Sequence, residues 1–196
     1  MSTVGIVATE ALAALAEDRS IAFVDAPVLG TKQPAEQGAL QVLASGPDAC
    51  REHVQPIFDA VGRETRWLGE AGAATRAKLV LNSWLLALTE GVAEAIALAE
   101  AIDVDPRVLL ETIEGGPLDA AYAQMKGSAM IDRSFGDPSF TLANARKDAG
   151  LVIEAGRRHD HPTPLAEVIE RQMGRAEDQG HGGEDMAATV YGSRPA

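Results

Sequence analysis

Hydrophobic and polar positions change their spacing near residue 70. Before that point, short apolar runs typical of buried strands alternate with helical stretches. The predicted strands are Ile21–Ala26, Leu40–Ala44 and Thr65–Leu68, and the predicted helices are Val7–Glu17 and Asp48–Ala60. We expect Leu12 and Leu15 to point inward from the first helix. The polar segment Gly30–Gly38 is long for a hairpin connection, which makes it a candidate functional loop.

After residue 70 the pattern predicts helices only. The first, Ala71–Ile102, is apolar on nearly every face, so we expect it to be buried all round, partly by another domain or subunit. Its longest apolar run, Leu79–Leu88, is interrupted by polar residues and is far shorter than a membrane span. The next predicted helix begins at Asp105-Pro106 and stops at Gly115-Gly116-Pro117. Further helices are predicted over Asp119–Met130, Leu142–Arg158, Pro164–Gln179 and Glu184–Val190.

Charge and cysteine content narrow the function classes. The formal net charge of −12 argues against nucleic acid and anionic membrane surfaces as partners, because both would be repelled. The single Cys50 cannot form an internal disulfide, which fits a reducing compartment. No basic stretch followed by an apolar core opens the chain, so we expect a cytoplasmic protein.

Lys78 and Asn82 are the strongest candidates for chemistry. They are four residues apart on the long helix and therefore share one face of it. A lysine in apolar surroundings is either at the edge of the core or partly desolvated, and desolvation lowers the pKa of a lysine until it can accept protons. On spacing alone, a lysine on the helix surface with a polar neighbour four residues on is the simpler explanation of the pair.

The other candidates have simple structural explanations beside the functional ones. Lys147 and Asp148 are adjacent on a helix, so we expect them to point apart; they are either solvated charges or cleft residues. The turn Leu29–Pro34 could offer backbone N–H groups to a carboxylate or be an ordinary turn. His159-Asp160-His161 lacks a third clustered metal ligand, so no metal site is predicted. Trp67, Trp84 and Met125 are predicted to be core residues.

Taken together, these segments resemble the β-hydroxyacid dehydrogenases, the relatives of 3-hydroxyisobutyrate, tartronate semialdehyde and 6-phosphogluconate oxidoreductases. The resemblance covers nearly the whole chain in the family's order. The matching motifs are Ser2-Thr3-Val4, Asp25-Ala26-Pro27-Val28-Leu29-Gly30-Thr31, Gly72-x-Ala74-x-x-x-Lys78-x-x-x-Asn82, Phe140 with Lys147-Asp148, and Gly180-His181-Gly182 with Asp185.

The resemblance implies a remnant of a Rossmann α/β domain over residues 1–70, followed over 71–196 by an all-α domain similar to the C-terminal domain of 6-phosphogluconate dehydrogenase. The implied activity is NAD- or NADP-dependent oxidation of a small hydroxyacid or reduction of its semialdehyde. By the resemblance, Lys78 is the general acid/base, Asn82 orients substrate and lysine, and Gly30 with Thr31 receives the substrate carboxylate. Thr3, Lys147 and Asp148 would bind the cofactor.

Three departures from the family pattern qualify these expectations. In the substrate loop, Leu29 stands where the family usually has a serine, and Thr31 stands where it has the second of two glycines. Near the lysine, Ala74 stands where the family has the second glycine of that motif. The changes at Leu29 and Thr31 predict a bulkier or less polar substrate, and the change at Ala74 is milder. Residues 1–196 also contain no Gly-x-Gly-x-x-Gly turn for the pyrophosphate. We therefore expect the family's front portion to be missing and cofactor binding by these residues alone to be weak.

The sequence is also compatible with two other functions. The chain could be a truncated, cofactor-free helical dimerisation module, or an imine reductase-like enzyme, although imine reductases usually replace the lysine at the position of Lys78. The apolar long helix predicts a homodimer through the α-domain, since its second face needs a cover.

Overall fold

The computed structural model describes residues 3–194; Ser2 of the first motif lies outside the described residues. Three strands, eight α-helices and short 3₁₀ segments follow one another in these residues. The strands are β1 (Val28–Leu29), β2 (Leu40–Ala44) and β3 (Gly62–Trp67). The helices are α1 (Ile6–Asp18), α2 (Lys32–Glu36), α3 (Arg51–Val61), α4 (Ala73–Ala101), α5 (Arg107–Ile113), α6 (Ala121–Ile131), α7 (Leu142–Arg158) and α8 (Pro164–Ala176).

The chain divides into two compact units. The first consists of Met1–Asn82 with Glu154–His161, and the second of Ser83–Ile153 with Pro162–Ala196. All three strands belong to the first unit, and the second is helical. The predicted fold class, an α/β portion followed by helices, is confirmed. The domain boundary near residue 70 remains a prediction, because the division by contacts falls inside α4.

The sheet of the first unit has the order β1-β2-β3. β2 and β3 run parallel, with α3 in the crossover between them, as in a βαβ unit. β1 pairs antiparallel with β2, and the connecting segment carries the short helix α2. The core of this unit forms where α3 packs on the sheet, and it contains Val42, Ala44 and Phe58 with Val24, Ala26, Val28, Val54, Val61 and Trp67 around them.

Four expectations about the first unit and about large apolar residues are wrong. The predicted strand Ile21–Ala26 does not form: Ile21 is exposed and only Asp25 makes an isolated bridge, to Ser45. Thr3 and Val4, which the family resemblance places at the end of a strand beside the nicotinamide site, are not in a strand. Leu12 and Leu15 of α1 are exposed, and so are Trp84 and Met125, which were expected in the core.

The second unit has two main hydrophobic clusters, and α4 contributes to both. Around Leu86 the cluster contains Leu142, Ala145, Ala149, Ile169, Met173, Ala176 and Met186. Around Val92 and Ile96 it contains Ala93, Ala123, Met130, Phe135, Ala187, Ala188 and Val190. Helix α7 begins and ends at the predicted residues, because its apolar positions recur at the helical period and face these clusters.

Helix α4 covers 29 residues, within the predicted Ala71–Ile102, and its apolar character extends over a longer window than the run Leu79–Leu88. By length and composition alone it could cross a membrane, with a mean hydropathy of 1.3 in its most apolar window, 44% of which is buried. The same helix supplies Leu86, Val92 and Ile96 to the two clusters, which is how a core helix uses its apolar residues. In the single chain Val80 and Trp84 of this helix are 72% and 64% exposed, and the cover expected there from another domain or subunit remains a prediction.

Candidate active site

Lys78 and Asn82 lie on the amino-terminal part of α4, and both are buried. Lys78 is 9% exposed and Asn82 only 3%. Their spacing of four residues places them one turn apart on the same face of the helix. A lysine and an amide that are both withdrawn from solvent form a buried polar position on this helix. The structure therefore places this pair inside the fold and not among the solvated charges of its surface.

A network of buried hydroxyl and carboxylate groups holds the first turn of α4. The carboxylate of Asp25 accepts hydrogen bonds from the backbone N–H of Thr75 at 2.8 Å and from its hydroxyl at 2.9 Å. The hydroxyl of Ser45 donates to Asp25 at 3.2 Å and accepts from the backbone N–H of Ala74 at 3.0 Å. The Thr75 hydroxyl also pairs with that of Thr9 at 3.1 Å. Together they satisfy N–H groups that have no partner within the helix.

The turn at Gly30 leads from β1 to α2. Gly30 has φ +121°, a backbone conformation that favours glycine, and a Cβ added there would lie 2.7 Å from Leu40 Cδ2. Thr31 is the N-cap of α2 in an extended conformation. Glycine is therefore required at position 30 by the fold itself, whatever the turn binds. Thr3 is half-buried and lies shortly before α1.

Lys147 and Asp148 lie on α7 in the second unit, and the expectation that they point apart is wrong. The Nζ of Lys147 is 2.9 Å from Oδ1 of Asp148. Adjacent Cβ atoms do diverge on a helix, but the four-carbon lysine stem is long and flexible enough to fold back to its neighbour. Asp148 is buried at 2% side-chain exposure, whereas Lys147 is 51% exposed. The pair thus presents one solvent-facing cation above a buried carboxylate.

The buried ion pair between Lys126 and Asp185 was not predicted from the sequence. Lys126 Nζ lies 2.6 Å from Asp185 Oδ1, and their side chains are 4% and 8% exposed. Asp185 also accepts from the backbone N–H and hydroxyl of Ser139, both at 3.0 Å, and from the N–H of Ala187 at 3.0 Å. Burial raises the pKa of Asp185, but the hydrogen bonds from Lys126 and from Ala187 outweigh burial and hold that pKa below its usual value.

This ion pair fixes the segment that leads into α7. Asp185 forms an isolated bridge with Thr141, and the backbone of Met186 donates to the carbonyl of Phe140 at 2.9 Å. The sequence gives only a weak indication that Lys126 is buried, namely that it lies between Ala123 and Met130, which are buried positions of α6. The partner, 59 residues away, could not be read from spacing.

Two further groups of this unit have perturbed pKa values. Burial, together with the negative charge of Asp185, raises the pKa of the Tyr122 hydroxyl. Burial also raises the pKa of Glu90, although Thr189 and Ser193 donate hydrogen bonds to its carboxylate at 2.6 and 3.0 Å. Among residues 3–194, no cluster of three His, Cys, Asp or Glu side chains could hold a metal ion.

Comparison with known proteins gives two family models in succession along the chain. Residues 1–69 match the NAD binding domain of 6-phosphogluconate dehydrogenase. Residues 72–191 match the model described as NAD-binding of NADP-dependent 3-hydroxyisobutyrate dehydrogenase. Both models are NAD-binding domains, which supports NAD or NADP as the cofactor.

Individual relatives agree with these models. The chain is 30% identical over 196 residues to the chloroplastic glyoxylate/succinic semialdehyde reductase 2 of Arabidopsis thaliana, covering 100% of this chain and 54% of the reductase. It is 32% identical over 191 residues to the cytokine-like nuclear factor N-PAC of Xenopus tropicalis, covering 97% of this chain and 35% of that protein. The crystal structure of 3-hydroxyisobutyrate dehydrogenase from Salmonella typhimurium superimposes with a TM-score of 0.86 and 25% identity, over 96% of this chain and 66% of that one. The chain thus spans about half the length of the matched reductase.

Proposed function

Because this chain belongs to the β-hydroxyacid dehydrogenase family, we propose that it forms part of an NAD- or NADP-dependent oxidoreductase that uses Lys78 as general acid/base. The proposed substrate is a small β-hydroxyacid or the corresponding semialdehyde. The relative that matches the chain over all 196 residues is named for reduction of glyoxylate and succinic semialdehyde, which supports this substrate class.

The burial of Lys78 beside Asn82 is the observation that carries the proposal. Both side chains are withdrawn from solvent on one face of α4, in the segment that matches the 3-hydroxyisobutyrate dehydrogenase model. Lysine is seldom buried in folded proteins, and buried ionisable groups are often found at functional sites. General acid/base catalysis requires an amine near the reacting oxygen and out of bulk water.

Each proposed residue has a defined task. When bound, the nicotinamide supplies a hydride to the carbonyl carbon of the substrate or accepts one from the alcohol carbon. Lys78 donates a proton to the carbonyl oxygen during reduction and takes the hydroxyl proton during oxidation, so that charge balances in both directions. Asn82 orients the substrate and the lysine amine. Gly30 and Thr31 receive the substrate carboxylate.

The donors assigned to the cofactor suit a dinucleotide. Lys147 offers a cation that is half exposed, and Thr3 offers a hydroxyl, and both can donate to phosphate, ribose or carboxamide oxygens. Asp148, buried beneath Lys147, holds the lysine side chain against the helix by the contact of 2.9 Å. We therefore propose that Thr3, Lys147 and Asp148 belong to the cofactor site.

We further propose that the protein is a homodimer and that α4 takes part in the interface. The side chains of Val80 and Trp84 are largely exposed in the single chain, and they stand four residues apart on one face of that helix. Apolar residues at this spacing favour contact with another surface. Sedimentation at micromolar concentration should show twice the chain mass, and Trp84→Glu should shift the protein toward monomer. A wild-type monomer would contradict the dimer.

The experiment that tests the activity uses the polypeptide encoded by the whole reading frame that contains these residues. Glyoxylate, succinic semialdehyde and a cyclic imine are offered with NADH and with NADPH, and oxidation of the cofactor is followed by absorbance. We expect turnover of an aldehyde acid. Turnover of the imine alone would support the imine reductase-like alternative. No turnover and no calorimetric binding of either cofactor would support the helical dimerisation module. One matched relative is named as a nuclear factor and not as an enzyme, which is compatible with that alternative.

A further inference from the structure

Asp25 connects two segments that are far apart in the chain. Its carboxylate is 6% exposed, and both of its oxygens are occupied: Oδ1 by the Thr75 hydroxyl, Oδ2 by the Thr75 N–H and the Ser45 hydroxyl. The backbone of Asp25 also exchanges two hydrogen bonds with that of Ser45, at 2.9 and 2.8 Å. Asp25 is therefore held from both sides, and its position is set by the sheet region and not by α4 alone.

The contacts of Asp25 act on the beginning of α4. The first turn of a helix has N–H groups without partners inside the helix, and capping groups that accept from them fix where the helix starts. Here the caps come from outside the local sequence, because Asp25 is 50 residues from Thr75 and Ser45 is 29 from Ala74. A negative charge at this end also interacts favourably with the helix dipole.

Fixing this turn fixes the backbone that carries Lys78. Thr75 and Lys78 are three residues apart, less than one turn of 3.6 residues, and a helix is stiff over that distance. Asp25 also stands five residues before Gly30, at the start of the segment proposed to receive the substrate carboxylate. One carboxylate thus holds the start of the lysine helix and the start of the substrate loop.

We propose that Asp25 is a positioning residue for catalysis, which acts through Thr75 to hold the Lys78 amine in register with the substrate loop. This inference rests on the proposed function of Lys78. Asp25 does not itself exchange protons with substrate in this arrangement, since all three of its donors are protein groups. Its effect on turnover passes through the geometry of α4.

Thr75 provides the sharpest test, because it can be changed without removing the carboxylate. Thr75→Val has nearly the same shape but loses the hydroxyl that bonds to Asp25 and Thr9, whereas Thr75→Ser keeps a hydroxyl. Asp25→Ala removes the carboxylate that accepts from both the N–H and the hydroxyl of Thr75. Asp119→Asn is the matched control, since Asp119 also accepts from a backbone N–H, that of Gly115 at 2.8 Å, but in the second unit.

Two readouts separate positioning from general loss of stability. The first is kcat against KM in the full-length protein. The second is NMR of lysines labelled with carbon-13, which gives a readable spectrum because residues 1–196 contain only Lys32, Lys78, Lys126 and Lys147. We expect Thr75→Val to lower kcat about tenfold with little change in KM, as misplacement of a catalytic group does. We expect Asp25→Ala to lower kcat further.

The NMR signal of Lys78 should move in Thr75→Val while those of Lys32, Lys126 and Lys147 stay, and Thr75→Ser should restore both kcat and the signal. Asp119→Asn should change neither. If Thr75→Val and Asp25→Ala keep wild-type kcat and the Lys78 signal while Lys78→Met abolishes turnover, the positioning role is wrong and the proposed function stands. If Lys78→Met keeps turnover, the proposed function fails and the positioning role fails with it.

Discussion

The buried pair of Lys126 and Asp185 allows a stability prediction that can be worked out from its contacts. Lys126→Met keeps most of the lysine stem but removes the amine that lies 2.6 Å from the Asp185 carboxylate. Removing one partner of a buried ion pair costs about 3–5 kcal/mol, because the other charge stays buried without compensation. Asp185 keeps three donors, from Ser139 and Ala187, so we expect the lower end, about 3 kcal/mol.

That loss should be visible in thermal unfolding. For a chain of this size, about 3 kcal/mol corresponds to a fall in Tm of about 6–12 °C. Arg107→Met is the matched control, since it breaks an ion pair with Asp132 at 2.9 Å whose side chains are 54% and 53% exposed. Exposed ion pairs contribute little to stability, because both charges stay solvated. Adding Asp185→Asn to Lys126→Met should recover part of the loss, because the stranded charge is then removed.

The stability that the ion pair contributes should fall in acid. The pKa of Asp185 is lowered in the folded protein, so its contribution to stability is present above the ordinary value of 3.8 and is lost as pH falls through the lower folded value. The difference between wild type and Lys126→Met should therefore be full at neutral pH and shrink in acid. A Lys126→Met variant that loses no more stability than Arg107→Met at neutral pH would refute this account of the pair.

Two further predictions concern Glu90 and Gly30. Burial raises the pKa of Glu90 above 4.5, so its contribution to protein stability is present below 4.5 and is lost as pH rises through the higher folded value. In denaturant titrations Glu90→Gln should therefore gain stability relative to wild type as the pH rises from mildly acidic to alkaline. A difference that does not depend on pH would contradict this. Gly30→Ala should destabilise the protein by more than about 1 kcal/mol, since its φ is +121° and the added Cβ would meet Leu40 at 2.7 Å; Gly69→Ala, at φ +97° with open space, is the control that isolates the steric part.

The elements that sequence predicted well are those whose pattern is local. The strand Leu40–Ala44 and the helix Leu142–Arg158 have the expected bounds, because a short apolar run or helical spacing coincides there with clear end signals. The strand predicted at Ile21–Ala26 failed because an apolar run indicates that a segment could pair, not that a partner strand lies beside it. Trp84 was expected in the core because size and apolarity favour burial, but they do not decide which face of α4 is covered.

In the candidate site too, local spacing predicted some residues, while contacts between distant segments were not predicted. Lys78 and Asn82 could be placed on one helix face from their spacing, and the structure buries both. The groups that support such residues join distant parts of the chain: Asp25 bonds to Thr75 across 50 residues, and Lys126 to Asp185 across 59. No periodicity encodes such pairs, because they depend on how separate elements pack.

The central claim is that Lys78 exchanges the proton that accompanies hydride transfer, and one comparison tests it most directly. Lys78→Met and Val80→Met are assayed side by side in the full-length protein with the preferred aldehyde acid; Val80 lies on the same helix but is 72% exposed. Loss of a general acid/base lowers kcat by about 10²–10⁴. We predict a loss of that size for Lys78→Met, with cofactor affinity kept, and wild-type turnover for Val80→Met. Equal kcat in the two variants would contradict the claim.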